Sequence, residues 1–69
     1  MEIKARVPGM IVDVKVNEGD HVEVKDVLMV IEAMKMEQAI LCPVAGEVVE
    51  LRVEKGDRVR SGDVLAVVE

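Results

Sequence analysis

The sequence predicts an all-β fold, either a sandwich or a small barrel of about eight short strands. Apolar and polar residues alternate with a period of two, as at Val12, Val14 and Val16, which is typical of strands with one buried and one solvated face. Gly-Asp pairs follow several of these runs and predict turns. No long segment shows the 3.6-residue period of a helix. Many short strands and frequent turns favour a sandwich or barrel.

The two halves of the chain repeat each other. Residues 2–32 align with residues 39–69 without a gap. Runs of valine alone would explain the apolar matches, but they would not explain aligned glycines and aspartates. Each half therefore predicts one structural unit of about four strands. The aligned pairs include Gly9 with Gly46, Gly19 with Gly56, Asp20 with Asp57, and Asp26 with Asp63.

Length and composition predict one domain over residues 1–69 with an aliphatic core. The chain has 69 residues, of which 51% are hydrophobic and none is Phe, Tyr or Trp. A chain this short buries only about 60% of its unfolded surface, so the core must be simple. The net charge of −5 argues against binding to nucleic acid, because nothing neutralises a phosphate backbone. The lack of aromatic residues also removes platforms on which bases stack.

Cysteine content and hydropathy predict a cytoplasmic protein that does not insert into a membrane. Cys42 is the only cysteine, so no disulfide can form within the chain. The first ten residues have no apolar core of a signal peptide. The longest apolar run, residues 27–31, is far shorter than the roughly 20 residues that span a bilayer.

Catalytic machinery is not evident, so we expect a non-catalytic domain with no metal site. An enzyme would need a nucleophile with a base, a carboxylate pair in a cleft or a metal centre. His21 is the only histidine and is predicted to be an exposed residue beside a turn. Cys42, before Pro43, is predicted to be a partly buried small apolar residue.

Residues 33–38 join the two aligned halves and have no counterpart in the repeat. The symmetry-related position is where the chain begins and ends, so this junction should project from the opposite end of the domain. Lys35 lies at its centre, between Met34 and Met36. A lysine at a hairpin tip is usually only a solvated turn, but two methionines beside it would expose apolar surface without a structural reason. We expect them to point partly toward the sheets or to form an apolar collar for a partner.

The tetrapeptide Ala33-Met34-Lys35-Met36, preceded by Glu32, resembles the biotin-attachment motif of the biotinyl domain family. These are the biotin carboxyl carrier domains of biotin-dependent carboxylases and decarboxylases, and the resemblance covers essentially the whole chain. It implies a flattened barrel-sandwich of two four-stranded antiparallel sheets with internal two-fold pseudosymmetry. It also implies that Lys35 carries covalent biotin, which takes up a carboxyl group at a biotin carboxylase and delivers it at a carboxyltransferase.

A lysine suits this role because its long flexible stem ends in an amine that can be acylated. Only about one exposed lysine amine in a few thousand is neutral at pH 7, so an activating biotin protein ligase is implied as a partner. Two alternatives remain open. Lipoyl domains share the fold but typically have Asp before the lysine and Ala after it, where this chain has Met34 and Met36. An unmodified barrel-sandwich interaction module is the other.

The family resemblance also has a departure. Carrier domains of the common bacterial acetyl-CoA carboxylase type often have a thumb-like insertion in the first half, and the two halves here align without a gap. That parent enzyme is therefore disfavoured. Other acyl-CoA carboxylases, pyruvate carboxylase and the related decarboxylases remain open as parents.

Overall fold

Eight antiparallel strands and no helix make up the computed structural model, which describes residues 1–69. The strands form two four-stranded sheets, sheet 1 in the order β1-β8-β6-β3 and sheet 2 in the order β5-β4-β2-β7. This confirms the predicted all-β flattened barrel-sandwich. The strands are β1 (Glu2–Lys4), β2 (Gly9–Val14), β3 (His21–Val22), β4 (Val27–Ala33), β5 (Met36–Leu41), β6 (Gly46–Leu51), β7 (Arg58–Val59) and β8 (Val64–Val68).

The sequence repeat is a two-fold pseudosymmetry that exchanges the two sheets. The alignment places β2, β3 and β4 on β6, β7 and β8, and β1 on the last residues of β5. Individual contacts recur with it. The Gly19 amide donates to Val48 O at 2.7 Å, and the equivalent Gly56 amide donates to Ile11 O at 2.7 Å. The predicted duplication is therefore present down to single hydrogen bonds.

Aligned aspartates close the turns in both halves. Asp20 accepts a hydrogen bond from the Asn17 amide at 2.8 Å, and Asp57 accepts one from the Glu54 amide at 2.9 Å. The next aligned pair of aspartates accepts bonds with the same spacing along the chain. Short polar side chains favour turns because they satisfy backbone amides that no strand partner reaches. The same hydrogen bond therefore recurs at all four aligned aspartates.

The core between the sheets is aliphatic, as the composition predicts. Fifteen buried residues form one cluster, and no polar or charged residue is buried. Both repeat units supply its most buried members, so the core holds the two units together. These members are Ile11, Leu28, Met29, Ile31, Leu65, Val22, Val48, Val68 and Cys42.

The predicted alternation is wrong by one residue at the start of the long strands. Ile11 is fully buried while Val12 is only half-buried, and Val48 is fully buried while Val49 is 41% exposed. In each strand the register with its partner shifts at this point, which marks a β-bulge. A bulge adds one residue to one strand, so the following side chains change face. Val16, further along, is buried as expected.

Positive backbone φ angles confirm the predicted turns and reveal another one. Gly19, Gly56 and Gly62 have φ of 93°, 95° and 93°. Lys25, the counterpart of Gly62, has φ of 74° and lies in a turn that the sequence does not predict. A left-handed conformation costs a residue with a side chain about 1–2 kcal/mol. Lys25 therefore carries strain that Gly62 avoids.

We expect Lys25→Gly to raise the free energy of unfolding by about 0.5–1 kcal/mol, because glycine removes the left-handed strain but adds freedom to the unfolded chain. Gly62→Ala is the matched control and should lower stability, since an added Cβ there meets open space and only the backbone conformation resists it. Urea unfolding followed by far-ultraviolet circular dichroism measures both. A Lys25→Gly protein less stable than the parent would contradict the strain.

The two ends of the chain lie side by side in sheet 1. The Met1 amine donates to Val68 O at 2.5 Å, and the Val68 amide donates to Met1 O at 2.8 Å. Glu69 exchanges two further backbone hydrogen bonds with Glu47, of 2.7 and 2.9 Å. The first and last residues are therefore part of the same hydrogen-bonded sheet.

Candidate functional site

The segment that joins the two units is a tight hairpin between β4 and β5. Ala33 pairs with Met36, so only Met34 and Lys35 form the turn, and their φ angles are 55° and 65°. Two central residues with positive φ define a type I′ turn, which matches the twist of the flanking strands. Such turns favour Asn-Gly, and each residue with a side chain costs about 1–2 kcal/mol there. A Met-Lys pair at this position breaks the local rule, which is typical of functional sites.

All three side chains at the hairpin tip are exposed. Lys35 is exposed, Met34 is 86% exposed and Met36 is 65% exposed. Met34 therefore has little contact with either sheet, Met36 is partly covered, and both leave exposed the apolar surface that the expected collar requires. The turn extends past Ala33, the last buried residue of β4, so neither sheet can cover it.

The hairpin and the chain ends lie toward opposite ends of the domain, as the symmetry predicts. Glu32, next to the hairpin, lines the same surface depression as Asp63, which directly precedes β8. Glu69 follows the far end of that strand. Strands advance about 3.3 Å per residue, so Asp63 and Glu69 are separated by roughly 20 Å. The longest dimension of the domain is 30 Å.

The charges around the tip leave the Lys35 amine unpaired. Glu32 and Glu37 are directly opposite each other on β4 and β5, and both are exposed. Like charges in this arrangement destabilise a sheet slightly. The four ion pairs in the structure lie elsewhere and involve none of these residues. The base of the hairpin is therefore acidic, and the amine above it is available to a reagent.

The other ionisable or nucleophilic candidates lie outside the hairpin. His21 is exposed, as predicted, and its Nε2 is 2.9 Å from a Glu23 carboxylate oxygen. Cys42 is fully buried rather than partly buried, because it follows β5 into the core, and its thiol donates to Val44 O at 2.9 Å. No group of three or more His, Cys, Asp or Glu side chains is arranged to hold a metal ion.

One carboxylate has a perturbed titration, and it lies outside the hairpin. The hydrogen bond and charge of Lys15, which is 2.7 Å away, lower the pKa of Asp13. A lowered pKa means that this pair contributes to stability above the ordinary pKa of the carboxyl group and loses that contribution as the pH falls through the lowered value. Both side chains are about half exposed and the pair is screened by salt, so it supports β2 only weakly.

A compact all-β body that projects Lys35 from a two-residue hairpin has the form expected of a protein that presents a side chain to other molecules. Nothing in the structure encloses a substrate around that lysine. A family model described as "Biotin-requiring enzyme" matches residues 1–68. The chain belongs to this family.

Relatives of the chain include parts of carboxylases and a decarboxylase. The chain is 54% identical over 35 residues to a pyruvate carboxylase subunit of Methanothermobacter thermautotrophicus, covering 51% of the chain and 6% of the relative. It is 49% identical over 39 residues to glutaconyl-CoA decarboxylase subunit gamma of Acidaminococcus fermentans, covering 56% of the chain and 27% of the relative. With pyruvate carboxylase 1 of Caenorhabditis elegans the identity is 46% over 43 residues, covering 62% and 4%.

Solved structures match over nearly the whole chain. A single-chain, multi-domain long-chain acyl-CoA carboxylase superposes with a TM-score of 0.90 at 33% identity and covers 96% of this chain and 7% of its own. The urea carboxylase of Kluyveromyces lactis superposes with a TM-score of 0.92 at 32% identity and covers 100% and 6%. The chain thus spans only a small part of the proteins it resembles.

The type I′ geometry of the hairpin does not follow from the sequence pattern. The short junction, residues 33–38, is the only sequence signal for a tight turn. Its length alone does not select the two-residue form in which Ala33 pairs with Met36. Met-Lys carries none of the usual signature of such a turn. Lys35, Met34 and Met36 are all exposed at the hairpin, and the structure brings no other candidate residue to it.

Proposed function

We propose that residues 1–69 form one non-catalytic carrier domain that holds biotin in an amide bond to Lys35. The observation that carries this proposal is the two-residue hairpin that joins the two units. It places Lys35 beyond both sheets, exposed and without an ion pair. An amine in that position fits acylation, because a reagent can approach it without unfolding any strand. Biotin, when bound, would supply a ureido ring that accepts and releases a carboxyl group.

Attachment requires the amine of Lys35 to act as a nucleophile on an activated biotinyl group. The Nζ–C bond forms, the adenylate leaves with the electron pair of its bond to the carbonyl carbon, and Nζ loses a proton. Because the free amine is almost wholly protonated at neutral pH, a biotin protein ligase must supply the activated group and remove the proton. We therefore expect that the domain does not label itself.

The carrier role extends to two partner enzymes, a biotin carboxylase that loads the carboxyl group and a carboxyltransferase that unloads it. The relatives named pyruvate carboxylase support this division of labour, because a carboxylase must both load and unload the carboxyl group. A lysine stem adds a flexible reach to a rigid hairpin, so the same tip can visit both sites. A reducing compartment such as the cytoplasm agrees with the single unpaired Cys42.

Intact-mass spectrometry tests the proposal against its two alternatives. The protein is expressed with a biotin protein ligase, and separately with a lipoate ligase, and is probed with streptavidin. We expect the mass increment of one biotin and a single labelled peptide that contains Lys35. A lipoyl increment, or no increment after incubation with both ligases, would overturn the proposal in favour of a lipoyl carrier or an unmodified interaction module.

The methionine collar, Met34 and Met36, should matter for transfer more than for folding. We expect Met34→Gln or Met36→Gln to slow carboxylation of the biotinylated domain about tenfold, equivalent to about 1.4 kcal/mol of lost apolar contact. The free energy of unfolding should change by at most about 0.5 kcal/mol, as for other exposed positions. Val24→Gln is the control, because Val24 is also an exposed apolar turn residue, at 54%. Unchanged carboxylation rates for both methionine variants would exclude the collar.

A further inference from the structure

Gly9, at the start of β2, is packed against the backbone at the base of the Lys35 hairpin. A Cβ atom on Gly9 would lie 2.4 Å from Glu32 O and 3.0 Å from a side-chain carbon of Ile31. These separations are shorter than van der Waals contact allows. Because the nearest atom belongs to the backbone, no change of rotamer can relieve the clash, and β2 or β4 would have to move.

Glu32 lies where such a movement would reach the site. It is the next-to-last residue of β4 and is followed by Ala33 and the two-residue turn. It pairs with Glu37 across the hairpin. Met10, next to Gly9, pairs with Glu32 on the other side. The close approach at Gly9 therefore sets where the base of the hairpin lies relative to the rest of sheet 2.

The repeat supplies an equivalent contact that is remote from the site. A Cβ atom on Gly46 would lie 2.4 Å from Glu69 O and 3.1 Å from a side-chain carbon of Val68. The steric requirement is the same as at Gly9. Glu69 follows β8 in sheet 1, so a shift there moves the end of the chain and leaves the hairpin in place.

We infer that Gly9 is a positioning residue for the attachment of biotin to Lys35. Its missing side chain lets β2 approach Glu32 and fixes the orientation in which the turn presents the lysine. Gly46 meets the same structural need without serving the site. This inference rests on the proposed function of Lys35, but it can be tested separately from it.

The test compares Gly9→Ala with Gly46→Ala in the whole chain. Rates of biotinylation by a biotin protein ligase give kcat and KM for each protein at a temperature where circular dichroism shows it to be folded. Amide chemical shifts of Met34, Lys35 and Met36 report the hairpin directly, whether or not biotin is attached. Both variants are also made with Lys25→Gly, which we expect to stabilise the fold outside the site.

We expect Gly9→Ala to lower kcat/KM at least about tenfold, mainly through kcat, because a misplaced amine meets the activated carbonyl less often in a reactive geometry. Gly46→Ala should stay within about twofold of the parent. The amide shifts of the hairpin should change in Gly9→Ala only.

Equal losses in the two variants, or normal biotinylation of Gly9→Ala, would overturn the inference. A Gly9→Ala protein that stays unfolded in both backgrounds would also overturn it, since Gly9 would then act on the whole fold. If the parent protein takes no biotin, the proposed function fails, and the amide shifts alone decide whether Gly9 positions the hairpin.

Discussion

We expect Lys35→Arg to abolish incorporation of biotin while the free energy of unfolding changes by no more than about 0.5 kcal/mol. Arginine preserves the charge and the approximate length of the side chain. Its guanidinium stays protonated and is a poor nucleophile, so it cannot form the amide bond. Stability should hold because Lys35 is exposed and makes no ion pair or side-chain hydrogen bond that folding depends on.

Streptavidin blotting after incubation with ligase, ATP and biotin measures the first half of this prediction, and thermal melts of the unmodified proteins measure the second. Circular dichroism is the suitable probe, because the chain has no aromatic residue. Lys25→Arg and Lys55→Arg are the controls and should be labelled like the parent. A Lys35→Arg protein that still binds streptavidin would place the attachment site on another exposed lysine.

The second large effect is expected in the core, at Leu28. This residue is fully buried and lies where the register between β4 and β5 shifts. Leu28→Ala should cost about 2–5 kcal/mol, the sum of the lost burial and the cavity left behind. A domain of this length is stable by roughly 3–10 kcal/mol in total, so much of its stability would be lost. The site would then fail because the fold fails.

Leu65→Ala is the matched comparison for Leu28→Ala. Leu65 is the counterpart of Leu28 in the repeat, is fully buried, and lies at the register shift between β1 and β8. The two variants should lose similar amounts of stability in urea unfolding, whereas Met34→Ala at the exposed tip should lose at most about 0.5 kcal/mol. A loss below about 1 kcal/mol in Leu28→Ala would contradict a tightly packed core.

Sequence reasoning succeeds where a residue type has one dominant local cause. Aligned aspartates predict turns because a short carboxylate can accept a bond from a nearby amide, and Asp20 and Asp57 do so. Aligned glycines predict left-handed turns in the same way, and Gly19 and Gly56 adopt them. The exposure of Lys35 follows from its place outside the repeat.

Sequence reasoning fails where distant pairing decides the outcome. The bulges that turn Val12 and Val49 away from the core arise from the register of β2 with β4 and of β6 with β8, which no local pattern records. The left-handed conformation of Lys25 is imposed by a turn whose glycine is present only in the other unit. The role of Gly9 needs the position of Glu32, which lies on another strand.

Because the two chain ends are adjacent, a longer chain would be attached to the domain at one place. The Met1 amine is 2.5 Å from Val68 O, so a longer chain containing this domain would enter and leave it at almost the same place. Two covalent connections at one place restrain rotation of a body much less than connections at both ends. Lys35 lies toward the other end of a domain 30 Å long. A small rotation about the attached end would therefore move the Lys35 hairpin farther than any part of the domain near the chain ends. The lysine side chain adds its own length to that distance.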